Sequence, residues 1–72
     1  ASRIIVFHQN KANMITKFSA CFGDMGINIS EMNNKSKGDN ALTMLDTDAP
    51  ATDEIVKKLD SIEGVYRVRV VK

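Results

Sequence analysis

The sequence has 72 residues, with 10 Lys and Arg against 9 Asp and Glu, for a net charge of +1. That length holds a single domain (residues 1–72) whose small core would gain from a partner chain. The near-neutral charge supplies no field for nucleic acid or an anionic membrane, and 43% apolar with 26% charged residues excludes a disordered tail.

In chain order, Arg3 to His8 is apolar and β-branched, which predicts a central strand buried on both faces. The polar stretch Gln9 to Asn13 reads as a loop, and Asn13 as the N-cap of a helix over 14–25. Met14, Phe18, Cys21, Phe22 and Met25 fall on one face of that helix, and Gly26 ends it. Ile27 and Ile29 open a second strand, with Asn28 at its start. A tight hairpin follows at Lys37-Gly38-Asp39-Asn40, and a third strand spans 41–47. After the break at Asp48-Ala49-Pro50, Thr52 or Asp53 starts a second helix that buries Ile55, Leu59 and Ile62 and stops at Gly64. The last strand places Tyr66, Val68 and Val70 on one face and Arg67 and Arg69 on the other.

Ile4 to Gly26 and Ala41 to Gly64 each read strand, helix, glycine stop. Two strand–helix–strand units joined by a hairpin give a ferredoxin-like α+β sandwich, βαββαβ. Right-handed crossovers set the strand order 4-1-3-2, with both helices on one face.

Several activities are excluded for this chain. The longest apolar run, Ile4-Ile5-Val6-Phe7, is far short of the roughly 20 residues that span a membrane, and with no signal-peptide pattern a cytoplasmic location is the expectation. The single cysteine, Cys21, forms no internal disulfide or multi-cysteine metal site and reads as a buried reduced thiol. An RNA-recognition domain needs aromatics on the two central strands, where only Phe7 stands. With one histidine and no glycine-rich phosphate loop, catalysis and any cofactor are expected elsewhere in a longer protein. The initial Ala in place of Met also suggests such a protein.

A small-molecule sensor and a ligand-free assembly domain remain. His8, Asn10 and Asn28 favour the sensor, because asparagine carbonyls accept from an ammonium and an imidazole bonds a carboxylate or hydroxyl. The free N–H groups of a helix N-terminus add a place for a carboxylate. The second strand is an edge, and Ile27 to Glu31 guards it with no proline and one charge. Pairing two such edges makes a homodimer. Because His8 and Asn28 fall at opposite ends of one sheet, each ligand site would draw on both chains.

The apolar first strand, His8-x-Asn10, Gly26-Ile27-Asn28-Ile29 and Gly64-Val65-x-x-Val68-Arg69 together resemble the ACT domain family over about residues 3–71. Within it the chain looks most like the C-terminal regulatory domains of D-3-phosphoglycerate dehydrogenases. The resemblance implies amino-acid feedback, with L-serine first and glycine second, on an NAD-dependent oxidoreductase of serine biosynthesis. It implies ligand contacts at His8, Asn10, Asn28 and Ile29. One position departs: Ala12-Asn13 stands where the family usually has Pro-Gly or Gly, so Asn13 is expected to cap the helix and to intrude on the pocket.

Overall fold

The computed structural model describes residues 2–71. Its elements are β1 (Ser2–Gln9), α1 (Met14–Asp24), β2 (Ile29–Lys37), β3 (Asn40–Thr47), α2 (Asp53–Asp60) and β4 (Val65–Val71). The strands form one antiparallel sheet in the order β2-β3-β1-β4, which is the interleaved sandwich expected from the repeat. No helix among the described residues is long and apolar enough to cross a membrane.

Alternation along the strands builds the core. Ile4 and Val6 of β1 and Leu45 of β3 pack against Met14, Phe18 and Phe22 of α1 and Ile55 and Leu59 of α2, all buried. Cys21 is half-buried beside them, and that burial pushes its thiol pKa up. The strand β1 is central, but it is not buried on both faces. Ile5 and Phe7 point away from the helices and are only half-buried, because both helices cover the same side of the sheet.

Helix α2 ends at Asp60, before Ile62, and two further features differ from expectation for local reasons. The Ile27 N–H bonds the Phe22 carbonyl at 2.9 Å, tying this residue to the end of α1 and delaying β2 to Ile29. In β4 the register shifts between Phe7 and His8: Arg67 faces Phe7 and Val65 faces His8, leaving Tyr66 as the extra residue of a bulge. Tyr66 is therefore 55% exposed, and Val65 takes the inward place that alternation assigned to it.

Candidate functional site

The loop between β1 and α1 is held from two sides. Gln9 N–H bonds the Gly64 carbonyl at 2.7 Å, and Asn10 N–H bonds the Asp39 carbonyl at 2.8 Å. The Asn10 side-chain NH2 adds a bond to the Gly38 carbonyl at 3.1 Å. Gly64 sits at φ 98°, a left-handed backbone conformation that L side chains rarely adopt, so glycine meets the turn. Asn10 itself is exposed, with its carbonyl oxygen still available to a ligand.

His8 lies beneath this loop rather than in it. Its ring is 2% exposed, edge-on to Phe18 with centroids 4.9 Å apart. Nδ1 is 2.8 Å from the Gln9 carbonyl, which only accepts, so Nδ1 carries the proton. Nε2 is 2.8 Å from Thr43 Oγ1, which in turn is 3.1 Å from the Asn34 side-chain amide. A neutral ring accepts from the Thr43 hydroxyl, with Asn34 turning its NH2 toward Thr43. A charged ring donates to Thr43, whose hydroxyl then donates to Asn34 Oδ1. Both ring nitrogens thus have partners inside the chain, and His8 supports the Gln9 carbonyl at the base of the loop. Sequence reasoning missed Thr43 and Asn34. The available signal was a hydroxyl at an inward position of β3 between Ala41 and Leu45, where a buried polar group needs a partner.

Asn13 stands at the N-cap position of α1, but its side chain makes no cap hydrogen bond. Its φ of 68° explains the residue type: Asn is among the few non-glycine residues that tolerate the left-handed region, which is where glycine would serve. The expected cap is therefore absent. The first turn of α1 also holds no acidic side chain, so its N–H groups remain open. At α2, by contrast, Thr52 accepts from the Ile55 N–H, and Asp53 and Glu54 occupy the first turn. One helix start is closed by its own side chains, and the other is not.

Asn28 and Ile29 lie at the far end of the sheet. Asn28 donates its side-chain NH2 to the Asp48 carboxylate, and its carbonyl accepts from the Asp48 N–H at 3.0 Å, so it precedes β2 rather than opening it. Ile29 pairs with Thr47, whereas His8 pairs with Ala41. Six residues of β3 separate those levels, or about 20 Å at ~3.4 Å per residue. The structure thus gathers His8, Asn10 and Asn13 at one end and leaves Asn28 and Ile29 at the other. Near this second end Arg3 pairs with Asp46 at 2.8 Å, which holds the Asp46 carboxyl below the usual range through the hydrogen bond from Arg3.

No protein-family model matches the chain. It is 31% identical over 70 residues to D-3-phosphoglycerate dehydrogenase of Bacillus subtilis (strain 168), covering 94% of this chain and 13% of that protein's length. Among solved structures it is similar to the ACT domain of GTP pyrophosphokinase from Chlorobium tepidum, with a TM-score of 0.78 and 19% identity over 99% of this chain and 84% of that one. It is also similar to the ligand-free regulatory subunit of aspartate kinase from Thermus thermophilus, with a TM-score of 0.79 and 10% identity over 99% of this chain and 50% of that one.

Proposed function

The chain has the ACT-domain fold, and on that premise we propose that it is an amino-acid-binding regulatory domain, with L-serine its first ligand and glycine its second. The observation that carries this reading is the open N-terminus of α1 beside the pinned Asn10 loop. The first-turn N–H groups take the ligand carboxylate, and the Asn10 carbonyl accepts from its ammonium. The parent is a cytoplasmic NAD-dependent D-3-phosphoglycerate dehydrogenase, a reading supported by the Bacillus relative. Its cofactor chemistry belongs outside this chain, whose four glycines form no phosphate loop.

The functional unit is a homodimer joined through the open edge of β2. Ser36 pairs with Ala41, and Ala41 with His8, so Ser36 marks the level of the ligand loop. A two-fold axis near Met32 sets residue 28 of one chain opposite residue 36 of the other, because antiparallel partners sum to a constant. The partner's Asn28 and the partner's Ile29 then arrive beside the Asn10 loop and complete the pocket. Asn13 favours a second reading, a ligand-free assembly domain, because it carries a side chain where the family usually has glycine.

Calorimetry with serine, glycine and a panel of other amino acids tests the ligand. Absence of heat with millimolar serine, at concentrations where the chain is dimeric, leaves the assembly reading. The shared site is tested by mixing Asn10→Ala with Asn28→Ala, which rebuilds one intact site and one doubly damaged site per mixed dimer. Each variant alone is expected to lose serine binding, and the mixture to recover it. A mixed dimer that forms without recovery refutes the shared pocket.

A further inference from the structure

The face of the sheet away from the helices has a composition that the proposed pocket does not use. Cross-strand pairing arranges it in rows. One row runs Lys35, Leu42, Phe7, Arg67; the next runs Asn33, Met44, Ile5, Arg69; a third runs Glu31, Asp46, Arg3, Val71. The first two rows put four large apolar side chains on the central strands, with arginines along the β4 flank and Lys35 on the β2 flank. The third row pairs Arg3 with Asp46 and carries the exposed Glu31 at its β2 end, so the cations are concentrated in the first two rows. Among the described residues, no ion pair engages Arg67, Arg69 or Lys35. Phe7, Leu42 and Lys35 also line an open groove of about 340 Å³ at the hairpin end.

We infer that this face docks a protein segment of opposite character, an acidic amphipathic helix lying along the strands with its apolar ridge over Ile5, Phe7, Leu42 and Met44. Charge complementarity selects this occupant. A second copy turned about a two-fold parallel to the strands would set Lys35 against Arg67, and one turned about a two-fold across the strands at the Ile5 row would set Arg69 against its own copy. A nucleic acid would find a single aromatic, Phe7, on the central strands, and a chain of net charge +1. The aliphatic centre suits a protein ridge, and Arg, Phe and Met are residue types enriched at protein interfaces.

The spacing favours a helix. Arg67 and Arg69 are two residues apart on one face of β4, about 6.6–6.8 Å along the strand. Acidic residues at i and i+4 on a helix rise about 6 Å, so two carboxylates on one helix flank meet both guanidiniums, each with geometry suited to paired hydrogen bonds. Tyr66, turned outward by the bulge and 55% exposed, stands beside Arg67 at the end of the same strand.

The test uses fluorescence anisotropy of the 72-residue chain with labelled synthetic helical peptides. One carries a Leu stripe flanked by Glu at i and i+4; a second replaces those Glu residues by Gln; a third replaces them by Lys. Labelled oligouridylate is the fourth probe. The Glu peptide is expected to bind at least tenfold more tightly than the Gln peptide. The doubly reversed variant Arg67→Glu, Arg69→Glu is expected to lose that preference and to favour the Lys peptide. Both substitutions are at exposed positions, and far-UV circular dichroism with an unchanged thermal midpoint shows that the variant is folded. Phe7→Ser is expected to weaken all three peptides without changing their order. Equal binding of Glu and Gln peptides, oligouridylate as the tightest probe, or self-association of the unmodified chain that displaces the Glu peptide each overturns the inference. Serine titration is independent of this face, so failure of one reading leaves the other standing.

Discussion

Replacing Thr43 by Val removes one hydroxyl from a fully buried site while keeping the shape of the side chain. Two partners lose a contact, but not equally. Asn34 is exposed and regains water, so its loss is small. His8 Nε2 is buried at 2.8 Å from the missing oxygen and finds no substitute. A buried polar atom left without a partner costs ~1–3 kcal/mol, so Thr43→Val is expected to cost about 2 kcal/mol. With a urea slope near 1 kcal/mol/M for so small a domain, the denaturation midpoint falls by about 2 M. His8→Phe removes the other partner and keeps an aromatic ring against Phe18. In that background Thr43→Val leaves no orphan, and its cost is expected to fall below about 0.5 kcal/mol, giving a coupling near 1.5 kcal/mol. All four proteins are measured at one concentration, because any dimer adds concentration-dependent stability. A Thr43→Val cost equal in both backgrounds, or under about 0.5 kcal/mol in the parent sequence, refutes the buried relay.

Asn13→Ser tests why asparagine stands before α1: serine caps well but is poor at φ 68°, so the variant is expected to lose about 1 kcal/mol in thermal denaturation while Asn13→Gly stays within a few tenths. Equal stability of Ser and Asn at this position would restore the capping reading. Asp46→Asn is expected to destabilise at neutral pH and to converge with the parent protein in acid. The Arg3 hydrogen bond lowers the carboxyl pKa, so its contribution is present above the ordinary aspartate range near ~4 and is lost as pH falls through the lowered value. Thermal midpoints that differ as much at pH 2 as at pH 7 contradict this. Met32→Cys in a Cys21→Ser background is expected to form a disulfide-linked dimer under mild oxidation, because a two-fold near Met32 brings that residue within the ~4.4–6.8 Å Cα range of its copy. Ser36→Cys, about 27 Å from its copy in the same arrangement at ~3.4 Å per residue, serves as the control that stays monomeric on a non-reducing gel.

The parts of the fold that were legible are those governed by one residue's chemistry or one period. Thr52 caps α2 as a hydroxyl before an acidic first turn should, and the Gly38-Asp39 turn closes the hairpin between its expected neighbours. What sequence alone left hidden depends on contacts between elements. Alternation counts residues but does not see that Tyr66 is a bulge, which arises only where β4 meets the end of β1. His8 belongs to the β1 alternation Ile4, Val6, His8, and that pattern already places it inward. Its partner Thr43 comes from another strand, and that contact was not legible from β1 alone. Asn13 is a different case. The residue type fits both a cap and a left-handed backbone, and only the dihedral angle separates them.

The polar groups inside the sandwich also bear on how the strands find one another. Sliding β3 by one residue against β1 turns its inner face outward and is forbidden by hydrophobicity alone. Sliding it by two keeps every inward residue inward, so apolar burial barely distinguishes that misalignment from the native pairing. The hydroxyls do distinguish it. In the native register Thr43 reaches His8, and Thr47 meets the Ser2 carbonyl at 3.3 Å and the Ala49 carbonyl at 2.7 Å. A two-residue slip sets Leu45 or Ala41 opposite Val6, where Thr43 stood, and so breaks the diagonal geometry in which Thr43 meets His8 Nε2. These few oxygens act as a vernier on an otherwise repetitive sheet. A variant with Val at both 43 and 47 should keep its helix and strand content yet broaden its amide spectrum as alternative registers become populated.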